Sequence, residues 1–261
     1  MRVFKGCKFD PFDERDWGFR ATTDDIPLPR SVDNRKHISS IKNQGAEGSC
    51  VGFAVAKGVE TVLGKSINGR FENMSERWAY EKAKTHDEWP GNNYEGSSVR
   101  GGLKAAHKVG ICLEKFWPYK PNRRGKPSSQ ASTNAKEHLV LSYARVRGID
   151  NIKRAIYENG IVVSAALVHE GWFRPRNNGV IPLKKGFDIL GGHAFALVGY
   201  GGRGFWVANS WGMRWGKKGF GVLLFNDAKL HLVDAWTIQM ASDDKPEPEP
   251  KPICETCKRP L

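Results

Sequence analysis

The sequence predicts an α+β fold of two lobes, with helices in the first half of the chain and strands in the second. From about residue 45 to 140, apolar residues recur at helical spacing. From about 141 to 242, short runs rich in Val, Phe and Ala are separated by glycines, as in antiparallel strands. The chain has 261 residues, of which 39% are hydrophobic, so it can build a core in one large domain or two small lobes.

Four helices are predicted from apolar periodicity and from residues that start or stop a helix. The longest follows Ser49 and ends at Gly64, and the second begins after an N-cap at Ser75. A third helix runs from about Val99 to Lys108. The fourth is shorter and lies between a cap at Asp150 and a stop at Gly160.

Four strands are predicted after the fourth helix, because short Val-, Phe- and Ala-rich segments with glycines between them are typical of an antiparallel sheet. These segments are Ile161–Leu167, His193–Tyr200, Gly204–Ala208 and Phe220–Phe225. A cleft between a helical lobe and a strand-rich lobe is a common place for an active site.

Both ends of the chain differ in composition from the domain between them, which spans residues 26–242. Residues 1–25 hold charged and aromatic residues without periodicity and are predicted to form an N-terminal arm. Residues 243–261 alternate Pro with Glu and Lys, so we expect a stiff, disordered tail. The tail carries Cys254-x-x-Cys257, a spacing that can supply two of the four ligands of a structural zinc site. With no second pair of ligands in the sequence, it is interpreted as a pair of exposed thiols, although a site shared between two chains or with Cys7 is the alternative.

Net charge and cysteine content indicate which binding partners and which cellular compartment to expect. The formal net charge is +13, but the basic residues are spread along the chain and match no nucleic-acid-binding motif, so nucleic acid is not expected to be the main partner. The chain has no apolar run of 18 residues and no secretory signal at Met1 to Arg20, which predicts no membrane association. Five cysteines, an odd number at irregular spacing, favour a reducing, cytoplasmic compartment.

The segment from Gln44 to Cys50 places a cysteine in the first turn of the longest predicted helix. Unpaired N–H groups and the positive end of the helix dipole stabilise a thiolate at that position. Two donors, the Gln44 side-chain amide and the Cys50 backbone N–H, can point at an oxyanion. A cysteine at a helix start is by itself more often a small buried hydrophobic residue.

A histidine and an asparagine in the strand-rich half complete a candidate catalytic set. His193 follows two glycines, which leave the backbone around it open, and Asn209 lies between two predicted strands. We expect the side-chain oxygen of Asn209 to accept the proton of His193 Nδ1, so that Nε2 faces the thiol, and Trp211 to cover this hydrogen bond. Taken singly, the histidine is also consistent with a structural residue and the tryptophan with a structural turn.

The order Gln, Cys, His, Asn and the blocks around Cys50, His193 and Asn209 resemble the active-site motifs of the papain family of cysteine peptidases. The segment Ile26–Asp33 resembles the start of mature papain-like enzymes, so the resemblance covers about residues 26–240. It implies a papain-like fold with a helical left lobe, an antiparallel β-barrel-like right lobe and the active site in the cleft between them.

The resemblance also implies where a peptide substrate is held. Gly96 and Ser97 look like the loop whose backbone pairs with the substrate, although Ser97 stands where the family usually has a second glycine. Gly192 and Trp211 complete the implied substrate-binding set.

Two departures from the family pattern lie beside the nucleophile. Glu47 replaces a cysteine that many secreted members use in a disulfide, and Val51 replaces the usual aromatic residue. The first agrees with a reducing compartment, and the overall pattern favours a prokaryotic or viral branch without a long propeptide.

These residues predict a cysteine-type endopeptidase that hydrolyses peptide bonds through a thioester acyl-enzyme at Cys50, with His193 as acid and base and Asn209 orienting it. No metal or organic cofactor is needed, and the partner is a polypeptide substrate. Two alternatives stay open, namely a catalytically idle binding protein on a papain-like scaffold and a transpeptidase, in which an amine replaces water. The oligomeric state is not specified by the sequence.

The N-terminal arm bears on how such an enzyme is controlled. About 25 residues precede Ile26 and show no helical periodicity, so the arm is too short to fold as an independent inhibitory domain. We therefore expect the full-length chain to be active as synthesised. An arm that crosses the cleft, anchored by Phe9, Phe12 and Trp17, is the alternative.

Overall fold

The computed structural model describes residues 4–22, 26–91 and 93–240, so the tail with Cys254 and Cys257 lies outside the described residues. The helices that it contains are α1 (Cys50–Ser66), α2 (Glu76–Ala83), α3 (Val99–Val109), α4 (Ala131–Lys136), α5 (Ile149–Asn159) and α6 (Phe225–His231). The four predicted helices are therefore present as α1, α2, α3 and α5. The predicted cap at Asp150 is wrong, because α5 begins at Ile149 after Gly148 and Asp150 lies inside its first turn. The two shortest helices, α4 and α6, were not predicted. Within the described residues no helix is both long and apolar enough to cross a bilayer.

Side-chain caps explain where two of these helices begin. The Ser75 hydroxyl accepts a hydrogen bond from the N–H of Trp78 at 3.0 Å, which confirms the predicted N-cap of α2. Ser98 caps α3 in the same way through the N–H of Gly101. Helix α1 has no side-chain cap, so its first N–H groups remain directed at the region around Cys50.

The strands form one open sheet of mostly antiparallel pairs. They are β1 (Phe4–Lys5), β2 (Val32–Asp33), β3 (Val140–Arg145), β4 (Val162–His169), β5 (Ile189–Tyr200), β6 (Gly204–Ala208), β7 (Phe220–Leu224) and β8 (Leu232–Met240). The main order is β3-β8-β4-β5-β6-β7, while β1 pairs parallel and β2 antiparallel with β5. Because β3 and β7 end the row without pairing with each other, the predicted barrel-like lobe is an open sheet and not a closed barrel.

The hydrophobic core has two parts, one on each side of the central strands. The first joins α1 to α2, α3 and the adjacent face of the sheet, with Val55, Leu103 and Trp236 fully buried. The second lies under α5 and α6 around Trp172 and Phe205. Because α1 packs directly against β5, its N-terminal end meets the middle of the strand that carries His193.

The N-terminal arm is attached to both lobes. At its start β1 pairs with β5 at Gly191 and Gly192, and farther along the Arg145 N–H donates to the carbonyl of Trp17 at 2.7 Å. Buried polar contacts and ion pairs hold the segment between β1 and Trp17. The carboxylate of Asp10 accepts the backbone N–H of Arg100 at 2.9 Å, and Asp16 lies 3.1 Å from the Arg100 guanidinium.

Candidate active site

Cys50 is the first residue of α1, as the sequence predicts, and its side chain is fully buried. The N–H of Ala194 on β5 donates to Cys50 Sγ at 3.4 Å. This contact joins the first residue of the helix to the strand that carries His193, although Cys50 and His193 are 143 residues apart in the sequence.

His193 and Asn209 are joined by a hydrogen bond, but through the other ring nitrogen. His193 Nε2 lies 2.7 Å from Asn209 Oδ1, so the expectation that Nδ1 would face the asparagine is wrong. Asn209 Oδ1 also accepts the backbone N–H of Ser210 at 2.8 Å, which identifies it as an acceptor and makes Nε2 the protonated nitrogen of a neutral His193. The orientation of the ring depends on the side chains packed around it, and no local sequence pattern encodes that packing.

Gln44 is held at both ends of its side-chain amide. Its Nε2 donates to the carbonyl of Glu47 at 2.8 Å, and its Oε1 accepts the Ser210 hydroxyl at 2.5 Å. Ser210 therefore links Gln44 to Asn209, a role that sequence reasoning missed. One N–H of the Gln44 amide remains for another acceptor, since a primary amide has two.

An aromatic cluster packs around the imidazole. The ring of Trp211 lies 4.7 Å from that of His193, as its predicted covering role requires, and Trp172 lies 6.2 Å from His193 and 6.3 Å from Trp211. Trp172 is fully buried and was not predicted as part of the site. The only sequence signal was its position just after β4, which is not specific.

Burial keeps both reacting groups uncharged in this conformation. It raises the pKa of the Cys50 thiol to about 12, although the N–H of Ala194 opposes this change. Burial also lowers the pKa of His193 to about 4, although the hydrogen bond to Asn209 opposes it. A neutral thiol and a neutral imidazole are therefore the stable forms near pH 7.

The arm lies in the cleft and bonds to both of its walls. The N–H of Cys7 donates to the carbonyl of Gly192 at 3.2 Å, and the N–H of Lys8 donates to the carbonyl of Ser97 at 2.9 Å. Gly192 must be a glycine here, because a Cβ on it would lie 2.5 Å from the Cys7 carbonyl oxygen. The arm therefore occupies the backbone groups of Ser97 and Gly192 that the sequence assigns to a substrate.

The anchors of the arm only partly match the expected ones. The ring of Phe9 lies against Gly192, within 3.0 Å of the position of an added Cβ. Phe12 and Trp17, by contrast, are 72% and 62% exposed. Cys7 is buried in the same apolar cluster as Cys50.

An ion pair occupies the position where the family pattern has a disulfide. The Glu47 carboxylate accepts hydrogen bonds from both terminal nitrogens of Arg77, at 2.5 and 2.7 Å, and from the hydroxyl of Tyr119 at 3.0 Å. Burial alone would raise the pKa of Glu47, yet the Arg77 guanidinium lowers it overall. The Tyr119 hydroxyl also lies 2.8 Å from the carbonyl oxygen of Gln44, so its one proton is shared between Glu47 and Gln44 and the network fixes the loop between Gln44 and Cys50.

Within the part of the chain that the structure describes, one group outside the cleft has the residue types of a metal site. Asp227 joins His169 and His231 through contacts of 2.9 and 2.7 Å. The backbone N–H of Gly171 donates to His169 Nδ1, so the proton of a neutral His169 is on Nε2 and points at Asp227. Nε2 then has no lone pair to offer a metal, and the group is explained as a closed structural network.

Comparisons with known proteins show the family of this chain. A sequence model described as papain family cysteine protease matches residues 28–236. An uncharacterized peptidase C1-like protein of Acanthamoeba polyphaga mimivirus is 28% identical over 222 residues, covering 77% of this chain and 70% of that protein. A gut-specific cysteine proteinase of Caenorhabditis elegans is 28% identical over 239 residues, covering 77% of this chain and 71% of that protein.

A solved structure shows the same architecture. Xylellain, a cysteine protease from Xylella fastidiosa, superposes with a TM-score of 0.81 at 27% identity, covering 92% of this chain and 97% of that one. The viral and bacterial proteins in these comparisons agree with the branch that the sequence predicts.

Proposed function

We propose that this chain, which belongs to the papain family of cysteine proteases, hydrolyses peptide bonds through a thioester formed on Cys50. The observation that carries the proposal is the meeting of Cys50, His193 and Asn209 from three separate elements, with Gln44 beside them. Such an arrangement supplies a nucleophile, a base and an oxyanion donor within one cleft.

The proposed reaction starts with transfer of the Cys50 proton to His193 Nδ1, because Nε2 carries the proton that binds Asn209. The sulfur attacks the substrate carbonyl. The resulting oxyanion accepts hydrogen bonds from the backbone N–H of Cys50 and from the remaining side-chain N–H of Gln44. His193 then protonates the leaving amine, which breaks the peptide bond and leaves the thioester. Finally, His193 takes a proton from water and the hydroxide attacks the thioester. The carbon–sulfur bond breaks, the acid product leaves, and the Cys50 sulfur takes the proton back from His193.

Hydrolysis requires that the arm first leaves the cleft. Cys50 is fully buried while the arm is bound to Ser97 and Gly192, so no substrate carbonyl can reach the sulfur. Departure of the arm admits water and relieves the burial that keeps the thiol and the imidazole neutral. This replaces our expectation that the full-length chain is active as synthesised.

A full-length variant with a displaced arm provides the test. The Cα of Gly6 lies 3.5 Å from where a Cβ on Gly48 would be, so Gly6→Trp should push the arm away from the wall beside Cys50. Arg15→Trp is the matched control, because the Arg15 side chain is 84% exposed. We expect an epoxide-type thiol probe to label Cys50 at least tenfold faster in Gly6→Trp than in wild type or Arg15→Trp, and peptide cleavage to appear with it.

Further substitutions in the Gly6→Trp chain distinguish catalysis by the active-site residues from simple exposure of the Cys50 thiol. Adding Cys50→Ala to Gly6→Trp should abolish labelling and cleavage, and adding His193→Ala should nearly do so. Asn209→Ala should cost about tenfold in kcat, the value of one hydrogen bond to the ring. Cleavage that survives Cys50→Ala in pure protein would refute the peptidase assignment. Equal labelling of wild type and Gly6→Trp would refute closure by the arm.

We also propose that the enzyme works in a reducing compartment. All three cysteines among the described residues, Cys7, Cys50 and Cys112, are free thiols, and the Glu47–Arg77 ion pair occupies the position of a family cross-link. These observations support a fold that does not depend on oxidation.

A further inference from the structure

We propose that one wall of the cleft carries a subsite for a cationic side chain, formed by the rings of Trp89 and Tyr94, and that the enzyme prefers substrates with Lys or Arg at that position. This specificity rests on the proposed peptidase function. It is carried by the one peptide already seen in the cleft, which is the arm of the chain itself.

The ammonium group of Lys8 shows the subsite in use. Lys8 Nζ lies 3.6 Å from the ring centroid of Tyr94 and 4.5 Å from that of Trp89, both within the range of a cation–π interaction. Across the described residues, Lys8 forms no ion pair with a carboxylate. The aromatic faces are therefore its cation-binding surface, and a guanidinium would suit them as well as an ammonium.

The subsite is built on the wall that holds the peptide backbone. Tyr94 donates its hydroxyl to Asp87 Oδ1 at 2.5 Å, and the Ser97 hydroxyl donates to the other oxygen of Asp87 at 2.7 Å. Burial raises the pKa of Tyr94, so the ring remains a neutral phenol that donates this bond. The Asp87 charge at the edge of the ring adds to the negative potential that a cation meets.

The position of Lys8 relates this subsite to the reaction centre. The Lys8 N–H binds the Ser97 carbonyl, one of the backbone groups that a substrate is expected to use. On the other side of Cys7, the Cα of Gly6 lies 3.5 Å from where a Cβ on Gly48 would be, two residues before Cys50. Because one extended residue spans about 3.3 Å, a side chain in the Trp89–Tyr94 subsite belongs to a residue within about three positions of the scissile bond.

Binding of a synthetic arm peptide tests the subsite without catalysis. The peptide carries residues 4–10 with serine in place of Cys7 and either lysine or norleucine in place of Lys8, and it is titrated against the full-length Gly6→Trp, Cys50→Ala variant. Norleucine keeps the length of the side chain and removes its charge, so we expect affinity to fall by about two- to thirty-fold. A second full-length variant, Asp10→Arg with Cys50→Ala, releases the arm by a different contact and should give the same ratio.

Two tyrosine variants locate the effect. Tyr94→Leu should make the lysine and norleucine peptides bind equally, whereas Tyr157→Leu, on α5 outside the cleft, should keep the difference. A ratio that survives both Tyr94→Leu and Trp89→Leu would overturn the proposal, as would equal binding of the two peptides or no binding of either to the released cleft.

Cleavage of a positional peptide library by the Gly6→Trp chain extends the test to substrates. We expect one position within three residues of the scissile bond to favour Lys and Arg over norleucine, and Tyr94→Leu to remove that preference. Cleavage with no such position would refute the subsite while leaving the peptidase intact. A lysine preference in binding by a chain that cleaves no peptide would refute only the peptidase.

Discussion

The two walls of the cleft are held in place by different forces. On the nucleophile wall, the loop from Gln44 to Cys50 is fixed by the Glu47–Arg77 ion pair and by hydrogen bonds from Tyr119. On the base wall, His193 is fixed by the packing of Trp172 and Trp211 and by one hydrogen bond to Asn209. The first wall should therefore respond to changes of charge, and the second to changes of volume.

The largest effect is expected from removing volume on the base wall. Trp172→Ala deletes a fully buried ring that contacts both His193 and Trp211, and such substitutions cost about 3–5 kcal/mol. We expect a correspondingly lower free energy of unfolding, measured by urea titration, and loss of probe labelling in the Gly6→Trp background.

Phe173→Ala is the control for that prediction. Phe173 stacks on Trp211 at 5.1 Å but is 46% exposed, so it should cost no more than about 1.5 kcal/mol. Equal costs for Trp172→Ala and Phe173→Ala would show that packing does not hold the base wall.

A charge change on the nucleophile wall should have the next largest effect. Glu47→Gln keeps the shape of the side chain but removes the charge that compensates Arg77, whose side chain is only 1% exposed. Hydrogen bonds to charged groups contribute about 1.5–3 kcal/mol, so we expect a loss of stability in that range. Because Gln44 is held by the same loop, kcat should fall more than KM rises.

Glu72→Gln provides the surface comparison. Glu72 pairs with Lys115 at 3.4 Å and both side chains are at least 60% exposed, so its neutralisation should change stability by less than about 1 kcal/mol. If Glu47→Gln were as mild as Glu72→Gln, the ion pair would not substitute for a cross-link.

The sequence predicted the parts of each wall that are coded locally. Gln44, Cys50, His193 and Asn209 each lie in a short block of glycines and small residues, and a helix start or strand position follows from neighbours in the chain. The structure brings these four residues into one site. What the sequence could not show is which distant side chains hold them.

The missed contacts join residues far apart in the chain. Ser210 binds Gln44 across 166 positions, and Arg77 reaches Glu47 across 30. The ring orientation of His193 was wrong for the same reason, because Trp172 and Trp211 pack around it from separate segments. The arm was expected to be too short for an independent inhibitory domain because it lacks helical periodicity, but strand pairing and buried ion pairs hold it in place without such periodicity.

The smallest expected effect concerns the arm, which touches both walls and responds to pH. Asp10 of the arm interacts with Asp234 on β8. Asp234 also accepts hydrogen bonds from the Arg145 guanidinium at 2.7 Å and from the Trp236 indole N–H at 2.8 Å. Burial, and then Asp10, raise the pKa of Asp234 to about 7, although Arg145 opposes this change. The Cys7 thiol of the arm is the other titratable group near Asp234, and burial raises its pKa well above the usual range.

The sign of the pH effect follows from these contacts. With the arm docked, Asp234 holds its proton up to about pH 7, and with the arm gone water and the loss of Asp10 return its pKa toward the usual value near 3.8. The docked state therefore binds more protons between these values, so docking is strongest at low pH and weakens as pH rises toward 7. Each unit of difference in pKa is worth about tenfold in the docking equilibrium.

The measurement compares probe labelling of Cys50 between pH 5 and 8 in the wild-type chain and in Gly6→Trp. The Gly6→Trp chain reports the intrinsic reactivity of the thiol, so the ratio of the two rates isolates the opening of the arm. We expect this ratio to rise by up to about tenfold for each pH unit between 5 and 7 in the wild-type chain and to stay flat in Asp234→Asn, which imitates the protonated acid. A ratio independent of pH in the wild-type chain would show that the arm is held to the base wall by its backbone bonds to Gly192 and not by the state of Asp234.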